Sequence, residues 1–269
     1  MSDTPVLTDM LAKRADALKL YGLLAHWDEL DPMAPWVASL IEWEENERSR
    51  RGLERRLRNA HLGRFKPIAD FDWQWPKQLD RSLITELMQL DFVSSASNVV
   101  LIGSNGVGKT MIAKNIAHQA VLKGNSVLFT GASEMLNILA AQDGALSLQR
   151  RLKYFSQPEL LIIDEVGYLA YANRHADLLF EIVNRRYETK STIVTTNRPF
   201  SEWHEVFPNA ACVVSLVDRL VHHAQIIAID GESCRIKEAQ EKEASKKAST
   251  RRTGKPKTNN NKMEAWIGQ

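Results

Sequence analysis

The apolar pattern of the chain changes period near residue 98. Before about residue 66 it is helical: Leu7, Met10, Leu11, Leu18 and Tyr21 form one stripe, and Trp36, Val37, Leu40 and Ile41 open another after Pro35. The second stripe predicts a helix reaching Leu62, with Gly63 as its C-terminal stop. A turn-rich stretch with Pro67, Phe71, Trp73, Trp75 and Pro76 follows, and then an amphipathic helix over about 79–91. From Asn98 onward, short β-branched runs at 99–102, 127–130, 160–163, 192–195 and 226–229 alternate with helical stretches. Those stretches cover about 109–122, 133–156 (broken near Gly144), 174–189 and 210–223. Such alternation predicts an α/β fold of right-handed βαβ units, with a parallel sheet covered on both faces. The expected organisation is a helical N-terminal domain (1–66), a linker and helix (67–97), a core (98–237) and a basic tail (238–269). The tail is nearly free of large apolar groups to residue 262 and is expected to be disordered.

Composition narrows the possibilities only modestly. With 44% apolar residues in 269, the chain can bury enough surface to offset its conformational entropy, so a wholly disordered protein is excluded. No apolar run reaches membrane-spanning length, and the N-terminus lacks both a basic region and an apolar one. A cytoplasmic protein with no membrane partner is expected. Cys212 and Cys234 carry neither a disulfide framework nor a metal-ligand spacing. The net charge of +2 hides a segregation. Residues 1–47 are acid-rich, whereas residues 48–66 and 242–262 each hold eight basic side chains against one acidic. Two basic blocks of this kind suit a polyanion.

The strongest chemical signal is Gly103-Ser104-Asn105-Gly106-Val107-Gly108-Lys109-Thr110, placed between one strand and one helix. Its glycines allow backbone N–H groups to converge on phosphates, and the helix N-terminus adds partial positive charge. Lys109 is expected to reach the β- and γ-phosphates, and Thr110 to offer its hydroxyl to Mg²⁺. The run 160–163 delivers Asp164 and Glu165 to the sheet edge where ligands bind in such folds. Asp164 would hold the metal, and Glu165 would polarise an attacking water. Asn197, ending the next strand after Thr195 and Thr196, could contact the γ-phosphate and that water, although a plain turn residue has the same pattern. Arg219 has no acidic residue four positions on. It could serve a neighbouring subunit's nucleotide as an arginine finger, with Arg198 and Arg235 as weaker rivals.

The order GSNGVGKT, LLIIDE, TTNRPFSEW and VDRLVHHAQIIAIDGES, followed after Cys234 by RIK, resembles the IstB/DnaC-type AAA+ ATPases. It is most similar to the IstB group, the ATP-dependent helpers of insertion-sequence transposition. The resemblance spans the chain to about Lys237. Its FSEW and DRL–HH–IDGES segments are far more specific than the phosphate loop. It implies a P-loop AAA+ core with a five-stranded parallel sheet ordered 5-1-4-3-2, a small all-helical N-terminal domain and no C-terminal lid domain. It also implies an Mg-dependent ATPase that oligomerises with ATP, as a ring or spiral, on duplex DNA and recruits or stimulates a transposase. Cys234 stands where the family pattern has an aromatic, and Ser104-Asn105 replace a common Pro-Pro.

On a helical wheel Arg48, Arg51, Arg55 and Arg58 share a sector of about 80°, while Leu53, Leu57 and Ala60 fall elsewhere. One side can then pack while the other contacts DNA phosphates, unless Glu44, Glu45 and Glu47 pair with the arginines. Arg150, Arg151 and Lys153 occupy a region that, in related initiator-type ATPases, faces DNA. His222 and His223 have no further metal ligand nearby in sequence and read as helix-surface residues. A replicative-helicase loader of the DnaC type would use the same ATPase residues. A small-metabolite kinase would need a lid that is not visible, and a nucleotide-gated module would not depend on Glu165.

Overall fold

The computed structural model describes residues 4–32, 34–75, 79–168, 171–207, 210–234 and 237. Arg235 and the expected tail at 238–269 lie outside the described residues. The N-terminal region forms α1 (Thr4–Ala17), the short α2 (Tyr21–Ala25) and the long α3 (Pro35–Asn59). Leu11, Ala15, Leu18, Val37 and Ile41 make a small core of their own. Two helices cover only one stripe of each other, so Met10, Tyr21 and Trp36, expected in that stripe, are exposed, as is Trp43.

Helix α3 ends at Asn59, three residues short of the expected Leu62. The carbonyl of Ala60 turns away to accept the N–H of Phe129 at 2.9 Å. His61 and Gly63 then both take left-handed backbone, with φ of 54° and 60°. The C-terminal part of α3 is thereby laid against a sheet edge, where Leu53, Ala60 and Leu62 join the main core; Leu57, expected on this packed side, is exposed. The helix expected over 79–91 divides into α4 (Arg81–Leu87) and α5 (Asp91–Ser94) at Leu90, whose φ is 73°. Asp80 caps α4 by accepting from the N–H groups of Ser82 and Leu83.

The core is a five-stranded parallel sheet with strands β1 (Asn98–Gly103), β2 (Val127–Gly131), β3 (Leu160–Val166), β4 (Ser191–Thr196) and β5 (Ala224–Ile229). Their order, β2-β3-β4-β1-β5, is the expected one. Both faces are covered, as the apolar strands require. One face carries α6 (Lys109–Leu122), α4, α5 and the end of α3. The other carries α7 (Ala132–Ala140), α8 (Ala145–Ser156), α9 (Asn173–Arg186), α10 (Trp203–Val206) and α11 (Ala210–Val221).

Strands β3 and β4 pair in register from Leu160↔Ser191 to Ile163↔Val194, then shift before Val166↔Thr196. The shift puts Glu165 in left-handed backbone at φ 62°. At the opposite end of the sheet the side chain of Arg186 is almost wholly buried. It donates to Thr192 Oγ1 at 3.0 Å and to the carbonyls of Ser156, Pro158 and Glu159 at 3.0, 2.7 and 3.3 Å, and also to that of Ser191. Burial lowers the basicity of this guanidinium, and its acceptors oppose that cost. Among the described residues no helix is long and apolar enough to cross a membrane.

Candidate nucleotide site

The loop after β1 is shaped by three glycines that tolerate no side chain. A Cβ on Gly103 would run into the carbonyl of Ile229, one on Gly106 into Ser233, and one on Gly108 into the ring of Phe71. Gly106 and Gly108 also have φ of 85° and 102°, a region that β-carbon-bearing residues avoid. The loop therefore leads directly into α6, and the ammonium of Lys109 lies 2.7 and 2.8 Å from the carbonyls of Gly103 and Ser104.

The outer side of this loop is clamped by the chain's last described residues. Ser104 Oγ donates to the Gly231 carbonyl at 2.9 Å, and the Cys234 N–H donates to the Gly106 carbonyl at 3.0 Å. Trp75 Nε1 donates to the Glu232 carbonyl at 2.8 Å, and Lys237 pairs with Asp72 at 3.0 Å while lying over the Trp75 ring. The aromatic segment 71–75 thus holds the loop from behind, while Arg64, Phe65 and Lys66 line the cleft. Asn115 fixes that wall. Its amide nitrogen donates to the carbonyls of Lys66 and Met111, and its amide oxygen accepts from the N–H of Ile68.

Across the cleft β3 presents Asp164, which is buried. Thr110 Oγ1 lies 3.0 and 3.1 Å from its two carboxylate oxygens, and Thr195 Oγ1 donates to one of them at 2.6 Å. The same Thr195 oxygen accepts the N–H of Glu165 at 2.9 Å. One hydroxyl therefore ties the buried carboxylate to the twisted backbone of its neighbour. Lys109, Thr110, Glu165 and Asn197 share the lining of one cleft of about 510 Å³ with Asn105, Gly106, Gly108 and Lys114. The Asn197 Oδ1 atom is buried and has no hydrogen-bond partner among the described residues.

Arg219 does not line this cleft. It sits on α11 with its guanidinium 5.0 Å from the Phe180 ring and 5.7 Å from the Tyr187 ring, stacked where the sequence suggested an unpaired arginine. Arg198 is engaged by Glu202 and Glu205. Of the arginine sector on α3, Arg48 pairs with Glu44 at 3.0 Å and also donates to the Leu18 carbonyl, and Arg51 pairs with Glu47 at 2.6 Å. Arg50 binds the same Glu47, and hydrogen bonds from the two arginines hold that carboxyl at about 2. Arg55 and Arg58 are exposed and have no side-chain partner among the described residues. Arg150, Arg151 and Lys153 project from α8 into solvent, while Leu152 and Phe155 anchor the helix.

Comparison with known proteins agrees with this architecture. The family model described as IstB-like ATP binding protein matches residues 11–242. The insertion sequence IS21 putative ATP-binding protein of Pseudomonas aeruginosa is 37% identical over 203 residues, 76% of this chain and 77% of that protein. The IS5376 putative ATP-binding protein of Geobacillus stearothermophilus is 34% identical over 208 residues, covering 77% of this chain and 83% of its own length. Among solved structures, a crystal structure of DnaI superposes with a TM-score of 0.52 at 20% identity, over 64% of this chain and 90% of that one, a likeness of fold. With a family match over residues 11–242 and a third of positions shared with insertion-sequence proteins along three quarters of its length, the chain belongs to the IstB-like ATP-binding protein family.

Proposed function

We propose that the protein is an ATPase that serves insertion-sequence transposition, binding ATP with Mg²⁺ in the cleft and assembling with other copies on duplex DNA to recruit or stimulate a transposase. The observation that carries this reading is the linkage of Thr110, Asp164, Thr195 and Glu165 beneath a glycine loop that can donate several N–H groups to phosphates. Lys109 would exchange its two loop carbonyls for β- and γ-phosphate oxygens. The Thr110 hydroxyl and the Asp164 carboxylate are oxygen donors that fit Mg²⁺, which when bound neutralises charge on the β- and γ-phosphates.

Glu165 would orient and polarise a water for in-line attack on the γ-phosphorus. As the new P–O bond forms, the bond from the γ-phosphorus to the β–γ bridging oxygen breaks, the water's proton passes by way of the Glu165 carboxylate to the released phosphate, and ADP and phosphate leave. Asn197 Oδ1, buried and without a partner among the described residues, suits accepting a hydrogen bond from that water. Arg219 lies outside its own cleft, which supports a role toward a neighbour's γ-phosphate, a contribution of about 10³–10⁵ in rate where such fingers act. Arg48, Arg51, Arg55, Arg58, Arg150, Arg151 and Lys153 would supply phosphate contacts to DNA that do not depend on sequence, with Arg55 and Arg58 the most available.

The test is ATP hydrolysis with and without duplex DNA, with light scattering in parallel. Wild-type protein is expected to hydrolyse ATP faster with duplex and to form larger particles with ATP, and Lys109→Ala to lose both responses. Unchanged particle size with ATP, or hydrolysis indifferent to DNA, overturns the assembly mechanism.

A further inference from the structure

We propose a transition-metal site of the Zn²⁺ class at Glu188, His222 and His223, separate from the nucleotide cleft and independent of the function proposed for it. Their donor atoms all lie within 4.8 Å of one another. Glu188 Oε1 is 3.6 Å from His223 Nε2 and 4.0 Å from His222 Nδ1. Ligands about 2.0–2.1 Å from a tetrahedral Zn²⁺ stand about 3.4 Å apart, so small side-chain rotations close the shell. The sequence alone paired the two histidines with nothing, because Glu188 is far upstream and is brought in by the packing of α9 against α11.

Two features favour a cation here. Both α9 and α11 end at this point, so the negative ends of two helix dipoles converge where Glu188 adds a carboxylate. Glu188 takes left-handed backbone at φ 57°, and its carboxylate faces both histidines. Tyr187 Oη lies 2.7 Å from His222 Nδ1, the nitrogen that also faces Glu188, so a metal bound at Nδ1 displaces that hydrogen bond. Two imidazoles and one carboxylate are the donor set of an open zinc site, with the remaining position left to water, and imidazole selects transition metals over Mg²⁺ or Ca²⁺. A metal bound there pins the end of α9 to the end of α11. It also frees Tyr187, one of the two rings on which Arg219 lies, from His222.

The experiment is equilibrium dialysis of the untagged full chain against micromolar Zn²⁺ in excess Mg²⁺, with thermal unfolding followed with and without Zn²⁺. Wild-type protein should retain one Zn²⁺ per chain and unfold at a higher temperature with it. Glu188→Gln and His223→Asn should each bind at least about tenfold more weakly and lose the thermal response, while keeping the metal-free unfolding midpoint. Lys109→Ala should keep the ion. Absence of bound Zn²⁺ in the wild type, or wild-type affinity in both variants, overturns the site.

Discussion

The hydroxyl of Thr195 sets the relation between a buried carboxylate and the backbone that carries Glu165. Thr195→Val keeps the shape but leaves an Asp164 oxygen and the Glu165 N–H without their shared partner. Hydrolysis should fall by about 10- to 100-fold, or about 1.4–2.7 kcal/mol in the barrier, with nucleotide affinity changing far less, and Thr195→Ser should recover most of the rate. Single-turnover hydrolysis beside binding of a fluorescent nucleotide checks this; equal loss in both would point to a general disruption of the site. Lys109, Thr110, Asp164 and Glu165 were legible in the sequence because each belongs to a short pattern whose backbone geometry is local. Thr195 and Asn115 were not. Their partners lie 31 and 47 residues away, and only the sheet order and the path of the linker bring them together.

Among the secondary elements, strand periods survived folding well, since runs such as Leu160–Val166 are buried on both sides and leave little choice of structure. Helix ends were less legible where a tertiary partner competes for the last carbonyls, as Phe129 does for Ala60. Arg186 shows what a local pattern omits altogether: its spacing resembles that of any arginine near a helix end, yet its guanidinium joins the start of β4 to the turn before β3. Arg186→Ala leaves these buried acceptors unsatisfied and should cost about 3–5 kcal/mol of stability. Chemical denaturation would detect this as a lower midpoint, and a variant as stable as wild type would mean that water replaces the side chain without loss.

For the molecule as a whole, segregated charge is the feature that composition hides and folding partly neutralises. Arg55→Ala with Arg58→Ala should weaken duplex binding and reduce the slope of log affinity against log salt by about 2. Glu47→Gln should do the reverse, releasing Arg51, while Arg50 keeps its pair with Glu54. Because that carboxyl is held at about 2, below its ordinary value of 4.5, the stabilising pairs persist above pH 4.5 and are lost only as pH falls toward 2. A DNA titration at several ionic strengths separates these outcomes from a protein whose α3 never touches DNA. The clamp on the phosphate loop has a practical consequence as well. It leaves Cys234 in the cleft wall, while the other thiol, Cys212, is pushed up to about 11 by burial and by Asp177 and so stays unreactive. Alkylation near neutral pH should therefore fall on Cys234 and slow when ATP occupies the cleft, as peptide mass mapping would show, giving the unaltered chain a built-in single-site reporter of nucleotide occupancy.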